Sequence, residues 1–128
     1  MTEEQQELER RRAAWAEALE SGDYEQTRDY LRDDYGLCCL GVLQELFMAE
    51  HPGVLVEKRG EDGHWAYWPV DDPLCEERES LQHCTRAWVG LTPEGEDSLA
   101  SANDSGKSFR EIARIIRGEK PDLFAKSA

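Results

Sequence analysis

Three groups of residues in this 128-residue chain have types and spacings that chemistry uses. The first is the adjacent pair Cys38 and Cys39, inside the apolar run Tyr35-Gly36-Leu37-Cys38-Cys39-Leu40-Gly41-Val42-Leu43. A thiol at a helix N-terminus has a lowered pKa and can serve as a nucleophile. It also needs a base, and His51, His64 and His83 fall in a helix stop, a strand and a helix, where only the fold would bring one to a cysteine. Free cysteine is among the most buried residue types, and Cys-Cys-Leu-Gly-Val-Leu has the make-up of tight packing, with Gly41 allowing a second element to approach. Cys38, Cys39 and Gly41 are therefore expected to mark a core helix, with a cysteine-dependent enzyme or redox protein as the weaker reading. A disulfide between the two neighbours would need a strained eight-membered ring, so both are read as thiols.

The second group is Cys75, His83 and Cys84, with His64 as a possible fourth zinc donor. Structural zinc sites draw on ligands paired two to four residues apart. Cys75 and Cys84 lack that knuckle, so no metal and no cofactor are expected. The third group is Asn103-Asp104-Ser105-Gly106-Lys107-Ser108-Phe109. Gly-Lys-Ser opening a helix invites a nucleotide-loop reading, but Ser101 stands where that motif needs its first glycine. A simpler anion site survives: free amides at the start of the Ser108 helix, the Lys107 ammonium, and Arg110, Arg114 and Arg117 along one side. Asn103, Asp104, Ser105, Lys107, Ser108, Arg110 and Arg114 are the expected ligand-binding residues. The plain alternative is that Arg114 and Arg117 complement the helix C-terminus and that residues 103–105 are turn chemistry. Tyr35, Trp65, Tyr67 and Trp68 offer flat faces for a base, although strand aromatics are more often core.

Charge narrows the partners. With 28 acidic and 15 basic residues the formal net charge is −13, which argues against general nucleic-acid binding, since phosphate contacts need clustered Lys and Arg. Residues 1–50 carry 13 acids and 5 bases, residues 51–100 carry 11 and 4, and residues 101–128 carry 4 and 6, so only the last segment is net positive. The acidic remainder, with Asp33-Asp34, Asp71-Asp72 and Glu76-Glu77-Arg78-Glu79, gives an alternative: a mimic of a phosphate backbone that attracts a basic, nucleic-acid-binding protein. More often such residues are a solvated surface. No stretch nears 18 apolar residues and the N-terminus has no apolar signal core, so neither a membrane span nor secretion is expected, and reduced thiols fit the cytoplasm.

The elements that must position these groups follow from pattern. Glu3 to Ser21 reads as an amphipathic helix with Leu8, Arg12, Trp15 and Leu19 on one stripe, closed by Gly22. Asp23 is placed to cap a short second helical turn containing Tyr24, Thr27 and Leu31. Leu37 to Glu50 is dense enough in apolar residues to be the core helix, stopped by His51-Pro52-Gly53. Two β-branched and aromatic runs around Arg59-Gly60-Glu61-Asp62-Gly63 predict a hairpin at about 54–69. Leu81 to Val89 is expected to be helical and closed by Gly90. Ser108-Phe109-Arg110-Glu111 matches a capping box, with Phe109, Ile112, Ala113 and Ile116 on one apolar face and Gly118 and Pro121 marking its end. The expected fold is α+β: one domain over 1–128, frayed at 1–7 and 122–128, with three or more helices packed on a small antiparallel sheet.

The order of these pieces resembles a widespread family of small bacteriophage and prophage proteins. The matching segments are residues 15–26 (Trp15 to Gln26), Cys38-Cys39-Leu40-Gly41-Val42-Leu43, Trp88-Val89-Gly90-Leu91, and Asn103 to Phe109 with Glu111-Ile112-Ala113. That family commonly places another Cys or a Ser soon after Gly-Val-Leu, where this chain has Gln44. The resemblance implies a phage accessory context. Joined to the basic segment, it suggests a non-enzymatic protein that sequesters a small anionic, nucleotide-like host ligand, with a homodimer as one arrangement.

Overall fold

The computed structural model describes residues 2–118 and 123–125. Its elements run α1 (Glu3–Glu20), α2 (Cys39–Glu50), β1 (Leu55–Arg59), β2 (Trp65–Pro69), α3 (His83–Val89), α4 (Pro93–Asp104) and α5 (Phe109–Arg117). This is the expected α+β class, a single domain with five helices and one two-stranded antiparallel sheet among the described residues.

Helix α1 begins with a reciprocal capping box between Thr2 and Gln5, which satisfies two of the amide donors every helix start leaves open. Trp15, Ala16 and Leu19 form its buried stripe. α1 packs most extensively on α5, while α2 touches α1, α3 and α4 and so occupies the centre. The Trp15 indole N–H donates to the Cys39 carbonyl at 2.9 Å, locking α1 to the first turn of α2. Arg11 and Arg12 of α1 donate to the carbonyls of Trp88 (2.9 Å) and Val89 (2.7 Å), the open C-terminal acceptors of α3.

The segment from Ser21 to Cys38 departs from expectation: no helical turn forms around Tyr24, Thr27 and Leu31. Instead the backbone pairs with itself and its neighbours, through Thr27 N–H to the Leu37 carbonyl, Leu37 N–H to Glu25, Cys38 N–H to Leu31, and Leu31 N–H to Arg78. Asp29 sits in the left-handed region at φ 73°, which a continuing helix cannot contain. Burial of Leu31 at the foot of α2 outweighs the local preference.

Helix α4 is the element that periodicity does not announce, because Leu99 is its one large buried apolar side chain. Its end signals are nevertheless present: Thr92 accepts from the Gly95 amide at 2.9 Å, Pro93 takes the first turn, and Glu94 and Glu96 complement the N-terminal dipole. Buried Glu96 accepts from the Leu81 amide (2.9 Å) and from Arg86 (3.0 Å), fixing the approach to α3. At the other end of the chain Leu123 is buried and Ala125 donates to the Gly90 carbonyl at 2.7 Å. Pro121 and Asp122 lie outside the described residues, as do Met1, Glu119, Lys120 and residues 126–128.

Candidate binding site

The turn between α4 and α5 gathers the sequence-predicted residues, but they take different roles. Asn103 is fully buried in the last turn of α4. Its side-chain oxygen accepts from the Cys39 amide (3.2 Å) and from Gln26 (2.9 Å), and its nitrogen donates to the Thr27 carbonyl (2.8 Å) and to Asp104 (3.2 Å). Asp104 accepts from the Asp29 amide at 2.9 Å. These two side chains hold the 26–29 segment on the turn. Ser105 caps α4, its hydroxyl donating to the Ala102 carbonyl at 3.1 Å. Ser108 caps α5 in the predicted capping box: its hydroxyl accepts from the Glu111 amide, and the Glu111 carboxylate accepts from the Ser108 amide, both at 3.2 Å. The Ser108 donors hold the Glu111 carboxyl below its ordinary value.

Lys107, Arg110 and Arg114 are exposed, and among the described residues none makes an ion pair. Arg117, by contrast, pairs with Glu20 of α1. The structure adds a residue that spacing did not reveal. Arg28 Nη2 lies 3.7 Å from where a Cβ on Gly106 would sit, so this exposed guanidinium flanks the same turn from a segment nearly 80 positions away. The Asn103 and Asp104 contacts to residues 26, 27 and 29, with Gln26 also donating to the Lys107 carbonyl at 2.8 Å, bring it there.

The cysteines take the packing role. Cys38 is the N-cap of α2, its Sγ accepting from the Gly41 amide at 3.3 Å, and Cys39 is wholly buried with Sγ 3.6 Å from the Leu99 carbonyl. Burial pushes the Cys38 thiol up to about 12 and raises Cys39 well above its ordinary value, which opposes the thiolate that a nucleophile requires. Cys75, His83 and Cys84 do line one cleft of about 520 Å³ beside Gln82. His64 stacks on Tyr30 instead, and no group of three His, Cys, Asp or Glu side chains among the described residues is arranged to hold a metal ion.

A second charged cluster escaped sequence reading because its members come from three separated segments. Arg32 Nη1 lies 3.0 Å from Glu45 and 3.4 Å from Glu57, and its guanidinium stacks 3.9 Å from the Trp65 ring. Glu57 pairs across the hairpin with Tyr67, so both side chains stand on the same sheet face. One guanidinium serves two carboxylates. Burial, then repulsion from Glu57, pushes Glu45 up to about 7 from an ordinary 4.5, with Arg32 opposing. A carboxyl raised in the folded state favours folding through its bound proton: the contribution is complete below about pH 4.5 and is lost as pH rises to about 7. Glu45→Gln removes that dependence, so its urea midpoint relative to the parent should rise between pH 5 and pH 8 by an equivalent of roughly 1–2 kcal/mol. A parallel pair of midpoints at the two pH values would contradict this.

A family model described as "Domain of unknown function (DUF8296)" matches residues 7–120. The chain belongs to this family. The DUF8296 region takes in most of α1 and all of α2 to α5, so the α4–α5 turn and the Arg32 cluster both lie within it. No curated protein and no solved structure matches the chain. No helix among the described residues is long and apolar enough to cross a membrane.

Proposed function

We propose that this DUF8296 protein is a non-enzymatic phage or prophage accessory protein that captures a small anionic, nucleotide-like host molecule at the α4–α5 turn. The observation that carries this reading is the Arg28 guanidinium set against Gly106, next in the chain to Lys107 and at the turn that opens the helix bearing Arg110, in a chain of net charge −13. Most other arginines are drawn into ion pairs with the surrounding acids, including Arg32, Arg59, Arg78, Arg86 and Arg117. Among the described residues the three at the turn have no side-chain hydrogen bond or ion pair, leaving their donors for a ligand, and the amides of Phe109 and Arg110 at the α5 start add neutral donors. Fork-shaped guanidinium groups suit phosphate oxygens in pairs. The refined ligand set is Arg28, Lys107 and Arg110, with Asn103 and Asp104 holding the scaffold and Ser108 supplying the cap.

Calorimetry with inorganic phosphate, nucleoside monophosphates and cyclic dinucleotides tests this. A phosphorylated ligand should bind, and Arg28→Ala and Lys107→Ala should each weaken it by about tenfold, the loss of one charge-assisted hydrogen bond. Absence of heat across the panel, or unchanged affinity in both variants, refutes the reading.

A further inference from the structure

We propose that the outer edge of β1 is a docking site for an extended segment of a partner protein, one that alternates apolar and basic residues and joins the hairpin as a third strand. The hairpin shares no residue with the α4–α5 turn, so this inference does not rest on the anion-binding reading. The ladder shows which backbone groups are free. Gly60 N–H donates to the His64 carbonyl (2.9 Å) and Val70 N–H to the Val54 carbonyl (3.0 Å), so in the antiparallel register the even-numbered residues of β1 face β2. Leu55, Glu57 and Arg59 therefore turn their N–H and C=O groups away from it. None of these groups has a hydrogen-bond partner among the described residues. The other edge is closed: Trp65 N–H donates to Arg32 (2.9 Å), and Tyr67 and Glu77 exchange two bonds at 2.9 and 2.8 Å. An open edge is a row of donors and acceptors spaced for another strand.

The side chains give a second, independent sign. Val54, Val56, Trp68 and Val70 share one face of the hairpin, because same-face residues recur at every second position and Val56 pairs with Trp68. Val54 and Val70 are 40% and 60% exposed, while Val56 and Trp68 are half-buried. None of the four belongs to the main hydrophobic core or packs against it. The face runs into a cleft of about 520 Å³ that Val54 and Val70 line together with Cys84. Backbone groups alone would accept any strand. An apolar face beside them favours one whose alternate side chains are apolar and extend that face.

Charge decides between a partner and a second copy. A second copy would set one chain of net charge −13 against another, and symmetric pairings centred on Glu57 or on Lys58 would place like charges directly opposite each other. A basic segment meets complementary charge instead. Asp71 lines the cleft at one end of the site and Asp72 follows it, both exposed and neither in an ion pair among the described residues. On the strand itself Asp34 neutralises Arg59 through bonds of 2.7 and 2.6 Å, which leaves Lys58 as its one uncompensated base.

The test is an NMR titration of the full chain at neutral pH and low salt with the capped peptide Lys-Val-Lys-Val-Lys-Val. Its controls are Lys-Ser-Lys-Ser-Lys-Ser at the same charge, and two forms of the valine peptide N-methylated on either the Val or the Lys residues. On binding, the Glu57 and Arg59 amides should become slow to exchange with deuterium, which charge attraction alone would not cause. The serine peptide should bind about fivefold more weakly or worse, and at least one N-methylated form should lose about tenfold, because only one edge of the peptide meets β1. Glu57→Pro should weaken binding by about tenfold; its N–H serves no bond within the chain, and an edge strand facing solvent tolerates proline. The peptide controls leave the chain untouched, so a folding defect in that variant cannot be mistaken for the result. Serine and valine peptides of equal affinity, unchanged binding by both N-methylated forms, or Glu57 and Arg59 amides that exchange as fast with peptide as without, overturns the proposal. So does a dimer of the chain alone, seen by sedimentation and abolished by Glu57→Pro, because the edge would then belong to a second copy.

Discussion

Gly41→Ala should destabilise the protein by about 3 kcal/mol or more, visible as a large drop in the urea midpoint. On a solvent-facing helix the same change would stabilise by about 1 kcal/mol, because alanine is the better helix former. Here the sign reverses. A Cβ at position 41 would lie 1.9 Å from the Leu31 carbonyl oxygen and 2.9 Å from its carbon, and neither can give way. Leu31 is fully buried, its carbonyl accepts from Cys38 and its amide donates to Arg78. Relief therefore requires moving the 31–38 segment off the N-terminus of α2. Gly95→Ala is the informative comparison. Its Cβ would meet the Leu123 carbonyl at 2.2 Å, and relief there means moving residues 123–125, with loss of Leu123 burial, of the Thr92 bonds to the Leu123 carbonyl and of the Ala125–Gly90 bond. A Gly41→Ala variant as stable as the parent would show that the close approach of α2 to Leu31 is not what the core depends on.

Asn103→Ala should cost about 3 kcal/mol, since it strips partners from the Cys39 amide, the Thr27 carbonyl and the Gln26 amide at once in a site closed to water. Asn103→Asp separates the hydrogen-bond argument from the volume argument. The near-isosteric carboxylate still accepts from Cys39 and Gln26, but it turns an oxygen toward the Thr27 carbonyl and the Asp104 carboxylate where a donor stood. At pH 8 Asn103→Asp should be as damaging as Asn103→Ala. As pH falls, the introduced carboxyl takes up a proton and regains a donor, so stability should recover toward the parent in Asn103→Asp and not in Asn103→Ala. Loss of the Thr27 contact also loosens the 26–29 segment, which Gln26 and the Asp29–Asp104 contact still tether to the turn, so phosphate affinity should fall even under conditions where Asn103→Asp remains folded. Denaturant midpoints at pH 5 and pH 8, with phosphate titrations of the folded fraction, check both halves; equal midpoints for Asn103→Asp and the parent at pH 8 would contradict the account.

These two variants show why the candidate site was partly legible in sequence. Lys107, Ser108 and Arg110 were visible because a capping box and a local charge excess are nearest-neighbour features. Arg28 was not, because nothing within a few residues of it signals a turn more than 75 positions downstream. Asn103 and Asp104 were visible as residues of interest but not as scaffold: a Ser, Asn or Asp near a helix end reads the same whether its side chain meets a ligand or a distant backbone amide. The Arg32 cluster was hidden for a further reason. Glu45 and Glu57 read as ordinary solvated acids of a helix and a strand, and burial against a shared guanidinium is a property of the assembled chain.

By itself the sequence determined the elements whose signals are short in range: α1 with its apolar stripe, the dense core helix α2 and its stop at His51-Pro52, the hairpin at 54–69, and the capped α5. Periodicity, caps and turn residues act within a turn or two of chain, so they can be read without knowing what packs on them. Tertiary structure alone decided the rest. It straightened the expected turn at Tyr24–Leu31 because Leu31 is worth more in the core than in a marginal helix, and it held α4 in place through the buried Leu99, Glu96 and Asn103. It also brought Arg28 to Gly106 and joined Arg32, Glu45 and Glu57. Those outcomes depend on burial and on contacts between residues far apart in the chain, and their energies exist only once the segments have met.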